Sequence, residues 1–148
     1  MIRPTIISVV AGLVSITQSM ATFANNTQTT VFLVPFQIET YMPVTRQTIE
    51  CDALEKWVLA KESHAAHLTD LLRDDVDVKF DEQRVRAKIV MPSSVIYIDS
   101  NGTAIRGEKL ARVDVEQFTA TLSKLGASRT LLRRNGVPEC KTGAGKSR

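Results

Sequence analysis

Residues 84–106 read RVRAKIVMPSSVIYIDSNGTAIR. Val85, Ala87, Ile89 and Met91 alternate with Arg84, Arg86 and Lys88, the period of a half-buried strand. Pro92-Ser93 makes a turn, because proline pre-sets its first central dihedral. Ser94 to Asp99 forms a second strand and Thr103 to Arg106 a third, joined at Asn101-Gly102, whose residues tolerate the positive φ of a type I′ turn. Two-residue loops at both turns set Ile89 opposite Ile96, Ala87 opposite Ile98, Lys88 opposite Tyr97, Ile98 opposite Ile105 and Tyr97 opposite Arg106. Every aliphatic pair then shares one face, and a one-residue slip would mix the faces. Arg84, Arg86, Lys88, Tyr97 and Arg106 fall on the other face, a basic surface with an aromatic at its centre.

Outward from this meander, the chain carries helices. Asp114 is an N-cap, Gln117 completes a capping box, and Val113 with Phe118 makes a hydrophobic staple. Phe118, Leu122 and Leu125 form the apolar stripe of this last helix, and Gly126 ends it. Upstream, Ser63 caps a helix from His64 to about Asp74, with Ala65, Leu68, Leu71 and Leu72 on one face. Val31 to Ile38 is β-branched and aromatic, a strand that Pro35 sends to a sheet edge or a bulge. Gln47 to Ala60 suits a helix through Ile49, Ala53, Trp57 and Ala60, while Lys56 to Lys61 also suits a short strand; the helix is the reading adopted. These elements predict an α+β domain, an antiparallel β-meander with helices packed on one face.

Residues 1–24 have the anatomy of a secretory signal peptide: Arg3, an apolar run from Ile6 to Ile16, and Thr22-Phe23-Ala24 before a cut. Ser19-Met20-Ala21 offers a second cut. The run is short of the roughly 20 apolar residues a spanning helix needs, so a cleaved signal is expected and no integral membrane span. The product is expected to be periplasmic or secreted. Removing the signal from 148 residues leaves about 124, enough for one domain, placed at 25–125, followed by a basic flexible tail at 126–148. Cys51 and Cys140 are the two cysteines. An oxidising compartment allows one intramolecular disulfide between them, worth about 4 to 5 kcal/mol in the chain-entropy model. The alternative is that Cys140 stays free or pairs between chains.

Residues 25–125 carry twelve Lys or Arg against fifteen Asp or Glu, whereas 126–148 carry six basic residues against Glu139 alone. The alkaline isoelectric point therefore comes from the tail. Such an arm can make weak contact with an anionic envelope surface, and its ordinary role is a solvated end. An acidic body outside the cytoplasm argues against nucleic acid as a partner.

Catalytic signals are absent. Gly143-Ala144-Gly145-Lys146-Ser147 looks like half a phosphate-binding loop, but Cys140 stands where its first glycine belongs and no helix follows. His64 and His67 lie one helical turn apart without a third strong ligand, so no metal is expected. Asp99 and Asn101 read as turn residues, since Gly102 comes too early for a calcium loop. No nucleophile motif is present, so no cofactor and no catalytic residue is expected. The remaining candidate is the meander's outer face, with Arg86, Lys88, Tyr97 and Arg106 as partner-binding residues, Arg and Tyr being enriched at hot spots. Its ordinary counterpart is a solvated face kept charged against aggregation.

Met91 to Gly102, followed by a strand and a helix bearing Phe118, resembles the C-terminal half of thioredoxin-like domains, in which a cis-proline precedes a strand, a glycine turn, a further strand and a final helix. The resemblance covers about a quarter of the chain and implies a degenerate member with a redox or chaperone-like role. The family's Cys-x-x-Cys is missing, because Asp52, Ala53 and Leu54 follow Cys51. The leading expectation is a small exported, non-enzymatic binding or accessory protein of the cell envelope, acting on an unknown, acidic protein partner by direct contact.

Overall fold

The computed structural model describes residues 28–132 except Gly126. Its strands are β1 (Thr29–Leu33), β2 (Glu55–Leu59), β3 (Arg73–Asp74), β4 (Val85–Met91), β5 (Ser94–Asp99), β6 (Thr103–Arg106), β7 (Lys109–Arg112) and β8 (Ser128–Leu131). They form one sheet in the order β3-β7-β6-β5-β4-β1-β2-β8, with every neighbouring pair antiparallel. The helices are α1 (Ile49–Asp52), α2 (Glu62–Thr69) and α3 (Val115–Lys124). This is an α+β fold built on an antiparallel sheet, with β4 to β7 consecutive in sequence and in space.

The main core lies where α2 and α3 meet the sheet. Val31, Leu33, Leu59, Ala87, Ile89, Ile96, Ile98 and Ala104 project from alternating strand positions to meet Leu68, Phe118 and Leu122. Phe36 packs edge-on against Phe118 at 6.3 Å between ring centroids. Asp114 caps α3 as its sequence requires, its carboxylate accepting from the Gln117 backbone N–H at 2.9 Å.

Helix packing is not confined to this face. A second cluster joins Ile49 of α1 to Val34, Val44, Phe80 and Val85, with Tyr97, Ile105 and Leu110 packed against it. A β-bulge brings Val85 into it: Val85 pairs with Asp99 and Ala87 with Ile98, leaving Arg86 as the extra residue. A bulge interrupts the alternation of side chains, so Val85 leaves the face that Ala87 and Ile89 share.

The first hairpin keeps the expected register, with Lys88 opposite Tyr97, Ile89 opposite Ile96 and Ala87 opposite Ile98. The second is shifted by one residue. Ile98 pairs with Ala104, Tyr97 with Ile105 and Ile96 with Arg106. Three residues, Ser100 to Gly102, form the loop, and only Gly102 has positive φ, at 76°. The Asp99 carboxylate accepts from the Asn101 and Thr103 backbone N–H groups, both at 2.9 Å, and imposes the longer loop. A Cβ at Gly102 would lie 2.4 Å from the Val113 carbonyl oxygen, so Gly102→Ala should cost about 1 to 3 kcal/mol, read as a lower urea midpoint.

Other boundaries differ as well. Gln47–Ala60 splits into the short α1 and strand β2, because Glu55, Trp57 and Leu59 alternate inward and fill the sheet beside β1. The helix expected from His64 to Asp74 starts at Glu62 and ends at Thr69. Its N-cap is Lys61 rather than Ser63, and Arg73–Asp74 pairs with β7 instead. The strand expected to run to Ile38 stops at Leu33. The sheet also extends beyond Leu125, since β8 pairs with β2 inside the segment expected to be tail. Arg129 docks it, bridging the buried Glu55 at 2.6 Å over the Trp57 ring, while Trp57 donates to the same carboxylate at 2.9 Å. Residues 1–24, Cys140 and residues 133–148 lie outside the described residues.

Candidate functional site

The four partner-binding candidates do not form one exposed row. Lys88 and Tyr97 are cross-strand neighbours, and both are partly covered. Lys88 bridges Glu50 of α1 at 2.5 Å and stands 5.5 Å from the centre of the Tyr97 ring. Arg46 flanks the same ring at 5.7 Å while bridging Glu82 at 2.6 Å. Each cation near Tyr97 thus carries its own carboxylate. Burial lowers the affinity of Lys88 for its proton, but Glu50 and Tyr97 outweigh it and raise its pKa above the ordinary lysine value. The stabilisation from that pair is therefore present at neutral pH and is lost only as pH climbs beyond the ordinary lysine range. Arg106 leaves the row because of the hairpin shift and sits exposed beside Gly107, level with Ile96.

Arg86 is the largest departure. It is 6 % exposed, because the bulge removes it from strand alternation. Its Nη1 makes one long hydrogen bond of 3.3 Å to the Val85 carbonyl, and its Nε is buried without a partner. Burial, then the neighbouring Arg84, lowers its pKa, yet a guanidinium stays charged at neutral pH.

The backbone around Arg86 is held on three sides. The Val34 N–H donates to the Arg86 carbonyl at 2.8 Å, the Val85 N–H to Val44 at 2.9 Å, and the Ser100 N–H to Arg84 at 2.8 Å. Residues 35–43 therefore arch between two anchors, Val34 after β1 and Val44 beside Arg84. Under this arch lies a cavity of about 500 Å³. Phe36, Ile38, Tyr41, Met42 and Pro43 give it an apolar wall, and Gln83, Arg84, Arg86 and Ser100 a polar floor. The Ser100 hydroxyl is also buried without a hydrogen-bond partner. Glu39 is the carboxylate among the described lining residues, and no ion pair joins it to Arg84 or Arg86. Arg84 is two-thirds exposed and reaches Asp81 at 3.8 Å.

The sequence conceals this site. Alternation placed Arg86 in water, and only the bulge, which no local residue pattern announces, turns it inward. A partial signal exists in Phe36, Ile38, Tyr41 and Met42, apolar residues interspersed with polar ones and bounded by Pro35 and Pro43. Pro92 follows a trans peptide bond, and it lines a different cavity from Cys51. Among the described residues no three His, Cys, Asp or Glu side chains are grouped to hold a metal, and no helix is long and apolar enough to cross a membrane. No protein-family model, no curated protein and no solved structure matches the chain.

Proposed function

We propose that the chain is an exported, non-enzymatic binding protein that acts by contact with another protein, and that the 35–43 loop makes the contact. The observation that carries this reading is the exposure of Ile38, Tyr41 and Met42, at 40 %, 106 % and 76 %, within five residues of one another. Clustered exposed apolar side chains mark interaction sites, and Tyr and Met are enriched in interfaces. The loop is anchored at both ends by the sheet, so its ordering costs less entropy on binding than that of a loose segment. The leader of residues 1–24 supports export, with a mature start at Thr22 or Asn25. A Cys51–Cys140 disulfide belongs to the same proposal, and so does weak contact of the basic tail with an anionic envelope surface. The thioredoxin-like alternative, with a redox or chaperone-like role, has the sequence resemblance alone in its favour.

A photo-crosslinking side chain at position 41 of the full chain, expressed in its source cells, should trap one dominant protein. Purified partner should then bind the Tyr41→Ser/Met42→Ser variant at least tenfold more weakly, about 1.4 kcal/mol, with thermal unfolding unchanged. Tyr97→Ala with Lys88→Glu should leave the affinity near wild type. The reverse pattern would move the contact to the sheet face. Insensitivity to both pairs would rule out both surfaces. Intact mass of the same material retaining Met1 would remove the export half.

A further inference from the structure

The cavity beneath the 35–43 arch combines apolar side chains with a buried cation that has no counter-charge among the described residues. Most buried charges in proteins are paired, because an uncompensated one is costly to desolvate. Arg86 is an exception: among the described residues no carboxylate bridges it, and the charge that acts on it is the like charge of Arg84. Asp99 is also buried, but its two carboxylate oxygens are taken by the backbone N–H groups of Asp81, Asn101 and Thr103. The other orphaned polar group in this cavity is a second potential donor, the Ser100 hydroxyl. Two residues lining one cavity, a guanidinium and a hydroxyl, thus carry unused hydrogens, donors in excess of acceptors. Their complement is an anion with acceptor oxygens.

We infer that this cavity binds a carboxylate attached to an apolar group. Arg86 and Ser100 receive the carboxylate, Arg84 adds positive potential from the rim, and Phe36, Ile38 and Met42 cover the apolar part. A volume of about 500 Å³ lies in the range of small-ligand sites. The donors come from Gln83, Arg84, Arg86 and Ser100, with Phe36, Ile38 and Met42 elsewhere on the lining, which suits a ligand charged at one end better than phosphate or sulfate, whose oxygens demand donors on every side. The inference deepens the binding-protein reading, because the loop proposed to meet the partner also roofs this cavity. Such a carboxylate comes either from a free small molecule or from the C-terminus of a peptide ending in an apolar residue.

Titration of the full mature chain with 3-phenylpropionate, with an acetylated hexapeptide ending in phenylalanine, and with the amides of both, separates these sources. At least one free acid should bind with backbone NMR shifts confined to residues 36–43, 84–86 and 100, and its amide at least tenfold more weakly. Binding by the peptide acid alone identifies a chain end as the ligand, and comparable binding by both acids identifies a small molecule. Arg86→Gln should weaken acid binding at least tenfold, while its unliganded melting temperature stays at or above wild type, since an unpaired buried charge is removed. Ser100→Ala, a smaller change, should weaken binding several-fold and covers the case in which Arg86→Gln does not fold. Glu39→Gln should bind the acid as tightly as wild type or more so. Equal affinity for acid and amide, shifts elsewhere, or no binding by either acid overturns the inference. Its failure is separate from that of the protein-contact reading, since the crosslinked partner's dependence on Tyr41 and Met42 is measured without these probes.

Discussion

Replacing Asp99 by alanine should lower the stability of the fold by about 3 to 5 kcal/mol, read as a fall in the urea midpoint at constant m-value. Asp99 is fully buried and accepts three backbone hydrogen bonds, each at 2.9 Å, from Asp81, Asn101 and Thr103. Hydrogen bonds to a charged group contribute about 1.5 to 3 kcal/mol each, and buried donors left without partners add a desolvation penalty. Relaxation and water entry keep the total below a simple sum. One carboxylate ties the 100–102 loop to the segment before β4, so its loss should also free the hairpin register. Asp99→Asn should cost less. One amide oxygen can still serve Asn101 and Thr103, while its NH₂ faces the Asp81 N–H. An alanine variant within about 1 kcal/mol of wild type would mean that these amides find other acceptors.

Ile98→Ala should cost about 4 kcal/mol, toward the upper part of the range for large-to-small core substitutions. Ile98 is fully buried, and its cross-strand neighbours on either side are Ala87 and Ala104. Three alanines in a row across the sheet would leave a void under Phe118 and Leu122 that short neighbours cannot fill. Tyr97→Ala, one residue away on the opposite face, should cost distinctly less. Tyr97 is half-buried, and Arg46 and Lys88 beside it keep their own carboxylates without the ring. Equal losses at the two positions would contradict the assignment of faces. This contrast is open to chemical denaturation of the two single variants at one pH.

The pattern of residues 85–99 fixed a strand, a turn, a second strand and the pairing between them, because period-two alternation and a proline turn are local properties. The cap at Asp114 and the start of α3 were legible for the same reason. The third strand was legible, but its register was not. Asn101-Gly102 carries the signature of a two-residue turn, and a carboxylate three-dimensionally committed to Asn101, Thr103 and Asp81 made the loop one residue longer. Strand β7 had a usable signal, Gly107-Glu108 between two short alternating runs, with Gly107 at a φ of 61°.

By itself, then, the sequence determined the antiparallel α+β class, the aliphatic face shared by Ala87, Ile89, Ile96 and Ile98, and the cap of α3. Each is set by residues adjacent in the chain or one period apart. Tertiary structure alone decided that Glu55–Leu59 is a strand beside β1, that α1 covers part of the face expected to be solvated, and that β8 closes the sheet edge through Arg129 and Glu55. It also decided the site. A single extra residue at Arg86 reversed an inside–outside assignment that alternation had made, and a loop tethered by Val34 and Val44 closed over it. Bulges and tethers of this kind arise from hydrogen bonds between residues distant in sequence, which no local pattern encodes.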